Sequence, residues 1–212
     1  VLVPHQRPDG DALGAATAMA EWIASIGIPY TIYCATHIQP SYNYLLRKHP
    51  VQTDRSFWKN RAISTIMVFD TGDLTYAGIA EEIASMQEAP IIVNVDHHYT
   101  NTFFGTFNLV SVKSSSTCEL LYRFFQHHRI SVSDAMATSL LTGIVTDTDN
   151  FTNAATSDSS IKVASALVST GGHFNTIKEA LYRRAHMNTL SLWGIALSRL
   201  DFLNETSYVY TY

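Results

Sequence analysis

The sequence predicts an α/β fold with a mostly parallel sheet, flanking helices and a helical C-terminal part. Short β-branched runs in the first part of the chain each lie near a helical pattern of about ten to fifteen residues, and this alternation is typical of a parallel sheet. From Val132 onward the pattern is almost continuously helical. With 212 residues and 46% hydrophobic content, the chain can bury a sizeable core.

The predicted strands are short apolar runs. The first ends at Val3, and the others cover residues 29–34, 62–70 and 90–96. Helices are predicted after Asp11, after Asp73 and after Ser116, where Ser116 and Glu119 form a capping box. These helices supply the crossovers that parallel strands require.

The C-terminal helices are predicted over residues 133–146, 157–169, 175–184 and 188–202, and the last run, "SYVYTY", resembles a strand. The breaks fall at "TDTDNFTNAATSD" and "STGGH", where turn-forming residues cluster. The two glycines of "STGGH" could suggest a phosphate loop. Because no buried strand precedes them, we interpret the segment as a helix C-cap followed by a turn.

Composition excludes several classes of function. A net charge of −4 with 14 Lys and Arg gives no basic field for duplex binding. Cys34 and Cys118 are far apart in apolar sequence, which predicts buried, reduced thiols and a cytoplasmic setting. No apolar run approaches the roughly 20 residues that cross a bilayer, and no signal peptide precedes Val1. The chain starts within a strand and without Met, so we expect further residues to precede it.

Acidic residues follow several of the apolar runs, in "VLVPHQRPDGDA", "MVFDTGD", "VNVDHH" and "TGIVTDTDNF". The carboxyl ends of parallel strands share one edge of a sheet, so these side chains are expected to converge. Crowded carboxylates repel one another unless cations neutralise them, which predicts a metal site. Oxygen and imidazole donors without thiolates favour Mn²⁺ or Mg²⁺, with Zn²⁺, Co²⁺ or Fe²⁺ still open. The converging residues are His5, Asp9, Asp11, Asp70, Asp96, His97, His98 and Asp147.

Each acid or histidine alone has a simpler interpretation. An aspartate after a strand, such as Asp70 or Asp73, is more often a helix cap or turn former. The run "TDTDN" is equally compatible with an Asx-rich turn. His127 and His128, at a predicted helix end, are interpreted as solvent-facing residues that complement the helix dipole. These interpretations do not explain why so many acids and histidines are expected together at one edge of the sheet.

The residues also carry a family resemblance. "HQRPDGDALG" resembles the first motif, H-x-x-P-D-x-D-A-x-G, of the DHH phosphoesterase superfamily, and "VFDTGD", "VNVDHH" and "GIVTDTDNF" resemble its second, third and fourth motifs. "SSSTCELLYRFF" is similar to the S-T-x-E-L segment of the family. The chain looks most like the branch that contains short-oligoribonucleotide hydrolases, phosphoadenosine-phosphate phosphatases and cyclic-di-AMP phosphodiesterases.

This resemblance implies one DHH domain over residues 1–212. Residues 1–151 would form the metal-binding α/β core, and residues 152–212 the helical part and the start of a linker. Members normally have a companion domain, DHHA1, with a G-G-G-H motif that grips the substrate. "STGGHF" lies too early in the chain to be that motif, so the companion is expected outside this chain.

The resemblance also implies the roles of individual residues. One metal ion is assigned to His5 and Asp9, and the other to Asp11, His97 and Asp147. Asp70 bridges both. Asp96 would orient a ligand histidine, and His98 would reach the phosphate; these two are the predicted catalytic residues. One departure is Asp149, which stands where the family usually has glycine.

These roles imply a hydrolase that uses two Mn²⁺ ions, with Mg²⁺ or Co²⁺ as substitutes, to activate a water molecule against small nucleotides. The expected partner is a small nucleotide or a short single-stranded oligonucleotide, with no membrane involved. Two alternatives stay open: a non-catalytic nucleotide-binding module of the same fold, and an inorganic pyrophosphatase. The apolar stretch "LSLWGIALSRLDFL" is expected to pack within the chain, with a homodimer contact as its alternative.

Overall fold

The computed structural model describes residues 1–59, 62–181, 187–203 and 208–211. It divides into two compact units, Val1–Ile177 and Lys178–Tyr212. The strands are β1 (Leu2–Pro4), β2 (Ile32–Tyr33), β3 (Val51–Gln52), β4 (Thr65–Phe69), β5 (Ile91–Asp96), β6 (Phe107–Val110), β7 (Leu200–Leu203) and β8 (Tyr208–Thr211).

Nine helices lie within the described residues. They are α1 (Gly10–Ser25), α2 (Asn43–Leu46), α3 (Leu74–Ala77), α4 (Ala80–Ala84), α5 (Thr117–His127), α6 (Asp134–Asp147), α7 (Asp158–Ser169), α8 (Phe174–Leu181) and α9 (Met187–Ser198). Two short 3₁₀ turns, Pro40–Tyr42 and Arg55–Trp58, lie before α2 and before β4. The predicted α/β fold is confirmed.

Strands β1 to β6 form one parallel sheet in the order β3-β2-β1-β4-β5-β6. Leu2 of β1 pairs with Ile32 on one side and with Met67 on the other. The chain builds outward from β1 to β3, and then crosses back to build β4, β5 and β6 on the other side. The sheet therefore has its topological switch point between β1 and β4, where ligands of open α/β sheets bind.

The core is densest around the first helix. Every residue of α1 from Gly10 to Ala20 is buried, because α1 packs against α6 and α5 and also contacts β1 and β4. Glycines permit this close approach: a Cβ on Gly14 would clash with the carbonyl oxygen of Ser139. A second core cluster comprises Val3, Tyr33, Phe57, Trp58, Ile66, Val68, Ala77 and Ile79.

The sequence analysis does not predict strands β3 and β6. β3 has only two residues, and Phe107–Val110 of β6 has two exposed and two half-buried residues, so neither segment shows the apolar run that predicts a buried strand. Both lie at the edges of the sheet, where less burial is needed.

The helix predicted after Asp73 is divided into the short helices α3 and α4, because Gly78 adopts a left-handed conformation with φ of 76°.

The helix predicted over residues 188–202 is wrong in its last residues. Helix α9 ends at Ser198, and Leu200–Leu203 instead pairs antiparallel with Tyr208–Thr211. The apolar run continues the helical pattern, but the aromatic strand that follows offers backbone pairing, which decides the conformation. The predicted strand at "SYVYTY" is confirmed for residues 208–211. Residues 182–184 of the helix predicted over residues 175–184, and residues 207 and 212 of the predicted last strand, lie outside the described residues.

Three smaller predictions, on the "STGGH" turn, the two cysteines and the histidine pair, are also confirmed. "STGGH" follows the end of α7 as a turn, with Gly171 at φ of 113°. Cys34 and Cys118 are buried free thiols. His127 and His128 are exposed at the end of α5. Within the part of the chain that the structure describes, no helix is both long and apolar enough to cross a membrane.

Candidate metal centre

The first group of predicted ligands lies on the loop between β1 and α1. His5 follows β1 directly and is 6% exposed. Asp9 is the N-cap of α1, and its Oδ1 accepts hydrogen bonds from the backbone N–H of Asp11 at 3.0 Å and of Ala12 at 3.1 Å. These bonds satisfy N–H groups that a helix start leaves free, so the same acid both starts the helix and is fixed in place. Asp11, in the first turn, is fully buried.

Asp70 follows β4 and is held in an uncommon backbone conformation. Its φ is 60°, in the left-handed region that Asp tolerates better than most residues. The residue is 2% exposed, and its N–H donates to the carbonyl oxygen of Val95 on the neighbouring strand at 2.9 Å. The turn thus lies at the end of β4, next to the ends of β1 and β5.

Helix α6 and strand β5 supply the remaining predicted residues. Asp96 is the last residue of β5, and His97 and His98 follow it. Asp147 is the last residue of α6. Strands β1, β4 and β5 are neighbours in the sheet, so His5, Asp70 and Asp96 come to one edge at the switch point.

Two clusters of donor atoms meet at Asp70, and a third set that could hold an ion, Asp70 with His97 and His98, overlaps the second cluster. In the first, Nε2 of His5 lies 3.7 Å from Oδ1 of Asp9 and 3.6 Å from Oδ2 of Asp70. The groups able to hold an ion include these three residues as one set. The first metal position expected from the sequence thus corresponds to three side chains that lie together.

The second cluster surrounds His97. Its Nε2 lies 3.1 Å from Oδ2 of Asp147, 3.5 Å from Oδ1 of Asp70 and 4.0 Å from Oδ2 of Asp11. Asp11, His97 and Asp147 form another set whose donor atoms lie within 4.8 Å of one another. One oxygen of Asp70 therefore faces the first cluster and the other faces the second.

The donor atoms fit a divalent cation. Nε2 of His97 is buried and makes no hydrogen bond of good geometry, although three carboxylate oxygens lie 3.1–4.0 Å from it. A buried polar atom without a partner is costly unless something binds it. Ligands about 2.1 Å from one ion lie roughly 3 Å from each other in octahedral geometry, close to the separations seen here. Which ion these residues hold, and how many ions, stays a prediction.

The pKa values of the histidines reflect this crowding. Burial alone would lower the pKa of His5, but the carboxylates of Asp70 and Asp9 raise it to about 11. Burial also acts to lower the pKa of His97, whereas the carboxylates of Asp147, Asp11 and Asp70 raise it to about 10. Both rings therefore take up a proton where the acids have no other cation beside them.

The pKa values of two acids in the second cluster are also raised. Burial and the negative charges of Asp147 and Asp70 raise the pKa of Asp11 well above its usual value. Burial also raises the pKa of Asp147 to about 6, against the opposing effect of His97. Acids that resist ionisation because they are buried together become ionised readily when a cation neutralises them.

Asp96 contacts the ring of His98, whereas the sequence analysis expects it to orient a histidine that binds a metal. Its Oδ1 lies 2.8 Å from Nδ1 of His98 and accepts from the backbone N–H of His97 at 2.8 Å. The ring of His97 instead places Nδ1 3.3 Å from the carbonyl oxygen of Ser114. Asp96 therefore orients the ring of His98, while a backbone carbonyl faces the ring of the predicted ligand His97.

Two asparagines, Asn101 and Asn94, form a hydrogen-bonded chain that ends at the carboxylate of Asp96. Nδ2 of Asn101 donates to Oδ2 of Asp96 at 2.6 Å, and the side chain of Asn94 donates to Oδ1 of Asn101 at 2.9 Å. Burial acts to raise the pKa of Asp96, but the hydrogen bonds from His98 and Asn101 lower it. The carboxylate thus stays ionised although the residue is fully buried.

Sequence reasoning missed the polar residues that hold the acids. Thr117 and Asn101 each donate to a predicted site carboxylate, and neither is among the site residues that the sequence predicts. A signal was available in "SSSTCELLYRFF", which matches a family segment between the third and fourth motifs. For Asn101, four residues after His97, the sequence offers no signal beyond proximity to "VNVDHH".

The other acids have local roles. Oδ1 of Asp73 caps α3 by accepting from the N–H of Tyr76 at 2.7 Å, as its simpler interpretation predicts. Asp149 is exposed and has φ of 46°, at the start of three consecutive left-handed residues that end at Phe151. A left-handed position is where glycine fits without strain, so the conformation accounts for the glycine usual there, and Asp is among the residues that tolerate it.

Comparison with known proteins decides the family. The model of the DHH family, N-terminal domain, matches residues 1–144. The chain belongs to the DHH family. A DHH relative from Streptococcus mutans, "Probable bifunctional oligoribonuclease and PAP phosphatase NrnA", is 26% identical over 168 residues, which are 79% of this chain and 51% of the relative.

Two further curated relatives carry different names. "Bifunctional oligoribonuclease and PAP phosphatase NrnA" from Thermus thermophilus is 25% identical over 201 residues, covering 95% of this chain and 59% of that protein. "Probable manganese-dependent inorganic pyrophosphatase" from Streptococcus agalactiae is 26% identical over 174 residues, covering 79% and 54%. The chain thus spans between half and three fifths of the length of these relatives.

Solved structures confirm the DHH fold. An exopolyphosphatase-related protein from Bacteroides fragilis has a TM-score of 0.84 at 21% identity, over 96% of this chain and 62% of that one. A putative family II inorganic pyrophosphatase from Methanococcus jannaschii has a TM-score of 0.65 at 18% identity, over 98% and 68%. At these identities the likeness concerns the fold alone.

Proposed function

We propose that this chain is the metal-binding part of a phosphoesterase that hydrolyses small nucleotides with two Mn²⁺ ions. The observation that carries the proposal is the position of Asp70, whose Oδ2 lies 3.6 Å from Nε2 of His5 and whose Oδ1 lies 3.5 Å from Nε2 of His97. A carboxylate placed in this way can bridge two cations. His5 and Asp9 would complete one position, and Asp11, His97 and Asp147 the other.

Two divalent cations held by these residues would lower the pKa of a bound water molecule toward neutrality and would neutralise charge on the phosphoryl oxygens. The residues of the chain do the rest. Nδ1 of His98 faces the ionised Asp96, so this nitrogen holds the proton and Nε2 is the nitrogen left to meet a ligand. The His98 side chain is 46% exposed, so a phosphate can reach it. We assign to His98 the stabilisation of charge on the phosphoryl oxygens.

Small nucleotides fit the chain better than long strands. The net charge is −4, and a long single strand needs a basic track with stacking aromatic residues. The two NrnA relatives are named for oligoribonuclease and PAP phosphatase activities. These names support short oligoribonucleotides and 3′-phosphoadenosine 5′-phosphate as substrates, and linear or cyclic dinucleotides share the same chemistry. The companion domain expected from the family would add the contacts to the base.

Inorganic pyrophosphate is a second candidate substrate. The Streptococcus agalactiae relative, named a probable manganese-dependent inorganic pyrophosphatase, is as similar in sequence as the NrnA relatives, at 26% identity. The name of that relative also supports Mn²⁺ as the metal. Pyrophosphate has no base, so this candidate would need only the metal centre and His98.

The test is an assay of the purified chain, with and without Mn²⁺, against pApA, 3′-phosphoadenosine 5′-phosphate, cyclic-di-AMP and pyrophosphate. Bound metal is measured in parallel. We expect Mn²⁺-dependent hydrolysis of a nucleotide, lost in His98→Gln without loss of metal and kept in Asp158→Asn, a substitution of an exposed acid on α7.

Each other outcome overturns a defined part of the proposal. A chain that binds no Mn²⁺ overturns the metal centre. Turnover of pyrophosphate alone replaces the nucleotide substrate by the second candidate. Tight dinucleotide binding without hydrolysis, or metal binding without turnover of any substrate, overturns catalysis by this chain and favours a binding module.

A further inference from the structure

Helix α5 begins directly against the acids of the candidate metal centre. Ser116 is its N-cap, and the Oγ of Ser116 accepts from the N–H of Glu119 at 3.0 Å. The next two N–H groups donate to one carboxylate: Thr117 to Oδ2 of Asp11 at 2.6 Å, and Cys118 to Oδ1 of Asp11 at 2.9 Å. The free N–H groups of a helix start are thus matched to an acid from another helix, α1.

Thr117 makes a further contact through its side chain. Its hydroxyl lies 3.0 Å from Oδ1 of Asp70, and an ionised carboxylate only accepts, so the hydroxyl donates. Thr117 therefore holds two acids at once, Asp11 on α1 through its backbone and Asp70 after β4 through its side chain. Thr117, Asp11 and Asp70 are all buried, which excludes water as a competing partner.

We propose that Thr117 is a positioning residue of the metal centre, whose hydroxyl fixes the carboxylate of Asp70 in the orientation that two cations require. This inference rests on the proposed function, because it assigns Asp70 to two ions. It concerns a residue that touches neither ion but sets the direction of the ligand between them.

The physical reason lies in the freedom of a carboxylate. The last torsion of an Asp side chain has a broad energy minimum, so the plane of the group turns easily unless hydrogen bonds hold it. A bridging carboxylate has to point one oxygen to each ion. The Thr117 hydroxyl takes one lone pair of Oδ1, while Oδ2 stays toward His5 and the remaining lone pair of Oδ1 stays toward His97.

A neutral donor suits this position. A Lys or Arg in place of Thr117 would also orient Asp70, but its charge would cancel that of the acid and repel a cation. A hydroxyl and two backbone N–H groups fix the acids and leave their negative charge for the metal. Outer hydrogen bonds of this kind change metal affinity roughly 10- to 100-fold when they are removed.

The test compares Thr117→Val with Thr117→Ser. Valine keeps the backbone N–H to Asp11 and nearly the same volume but removes the hydroxyl, whereas serine keeps the hydroxyl. Thr117→Ala is made in parallel, because it removes the hydroxyl without requiring space for a second methyl group. Thr17→Val is the matched control: Thr17 is also fully buried, and its hydroxyl donates to the carbonyl oxygen of Leu13 at 2.7 Å, in the α1–α6 contact.

The readouts are Mn²⁺ affinity by calorimetry, the electron paramagnetic resonance spectrum of bound Mn²⁺, and the free energy of unfolding in a chelator. We expect Thr117→Val and Thr117→Ala to bind Mn²⁺ roughly 10- to 100-fold more weakly, with loss of the spin-coupled signal of a bridged pair. Thr117→Ser is expected to restore both. Thr17→Val is expected to lower stability without changing Mn²⁺ affinity.

The outcomes separate this inference from the proposed function. A wild-type chain that binds no Mn²⁺ overturns the proposed function. A wild-type chain that binds two ions, with unchanged affinity in Thr117→Val and Thr117→Ala, overturns the positioning role alone. Equal losses of Mn²⁺ affinity in Thr17→Val and Thr117→Val also overturn it, because the loss would then follow stability rather than the orientation of Asp70.

Discussion

Asp96 holds His98 by a hydrogen bond of 2.8 Å between Oδ1 and Nδ1. The acid is fully buried while the histidine side chain is 46% exposed, so the pair connects the interior of the sheet edge to its surface. The pKa of His98 is raised chiefly by this bond, against the opposing effect of burial. The orientation and the charge of His98 therefore both depend on Asp96.

Replacing Asp96 with Asn should change both the orientation and the charge of the His98 ring. In Asp96→Asn we expect the pKa of His98 to fall, because the amide carries no charge to stabilise a protonated ring. We expect turnover to fall by roughly 10- to 100-fold, the usual effect of losing such a partner. An NMR titration of the metal-free chain measures the first effect and a steady-state assay the second. An unchanged His98 titration in Asp96→Asn, with Asp158→Asn as the charge-matched control, would contradict this role.

The shared position of Asp70 predicts unequal effects of two similar substitutions. Asp70→Asn removes a charge from both clusters, and Asn tolerates the left-handed conformation at φ of 60°. Asp147→Asn removes a charge from the cluster around His97 alone. With two sites in the wild type, we expect about one bound Mn²⁺ in Asp147→Asn and less than one in Asp70→Asn. Metal analysis after gel filtration measures both, and equal losses would contradict a bridging role.

Much of the fold was predictable because burial and pattern agree along the chain. β1, β4 and β5 are apolar runs that enter the core, and α1 and α6 have helical spacing with recognisable starts. What could not be predicted depends on backbone pairing with another segment, which the side-chain pattern of a strand does not show. Edge strand β6 is half exposed, and β7 is a strand only because Tyr208–Thr211 lies beside it.

The candidate site shows the same division. Residues such as His5 and Asp70 could be proposed as ligands because each follows a strand and the ends of parallel strands share one edge. Thr117 and Asn101 could not be given roles in this way. Thr117 reaches Asp70, 47 residues away, because α5 begins beside the end of β4. Asn101 reaches Asp96, 5 residues away, because of the path of the loop that follows β5.

Metal binding is expected to release protons. The pKa of His5 is about 11 and that of His97 about 10, so both rings are protonated at neutral pH before a cation enters. A protonated ring nitrogen cannot bind a metal, so uptake of Mn²⁺ should release at least the two ring protons per chain, with a further contribution from Asp11, whose pKa is also raised, and apparent affinity should rise with pH. Calorimetry in two buffers that differ in ionisation enthalpy counts the protons. Release is expected to be smaller in His5→Gln, and binding without any release would contradict the prediction.

Gly143 of α6 lies where a side chain has no room. A Cβ at this position would clash with Sγ of Cys118 and Oδ1 of Asp11, so Gly143→Ala should destabilise the chain by about 1–3 kcal/mol. This is the reverse of the helix propensity, which favours Ala over Gly by about 1 kcal/mol. Gly194→Ala in α9 is the control, since nothing lies within 4 Å of its Cβ. Urea unfolding measures both, and a Gly143→Ala chain as stable as the Gly194→Ala chain would contradict the close packing.

The hydrogen bonds of Glu119 predict that the free energy of unfolding falls in acid. Its carboxylate is fully buried and accepts from the N–H of Ser115 at 2.7 Å, the hydroxyl of Ser159 at 2.6 Å and the guanidinium of Arg123 at 2.6 Å. Burial acts to raise the pKa of Glu119, but these hydrogen bonds lower it below its usual 4.5. A folded pKa below the unfolded one adds stability above pH 4.5, and this stability is lost as the pH falls through the folded value.

Glu119→Gln should therefore lower the free energy of unfolding at neutral pH by about 1–3 kcal/mol, because the donors of Ser115 and Ser159 lose a charged partner, while the half-exposed Arg123 is partly compensated by water. The difference from wild type should shrink below about pH 4.5, where the wild-type carboxylate is itself protonated on unfolding. Urea unfolding of the metal-free chain at pH 7 and in acid measures this difference. Glu88→Gln, at an exposed position, is the control and should behave as wild type. A gap between Glu119→Gln and wild type that is as large in acid as at pH 7 would show that Glu119 stabilises α5 by shape rather than by charge.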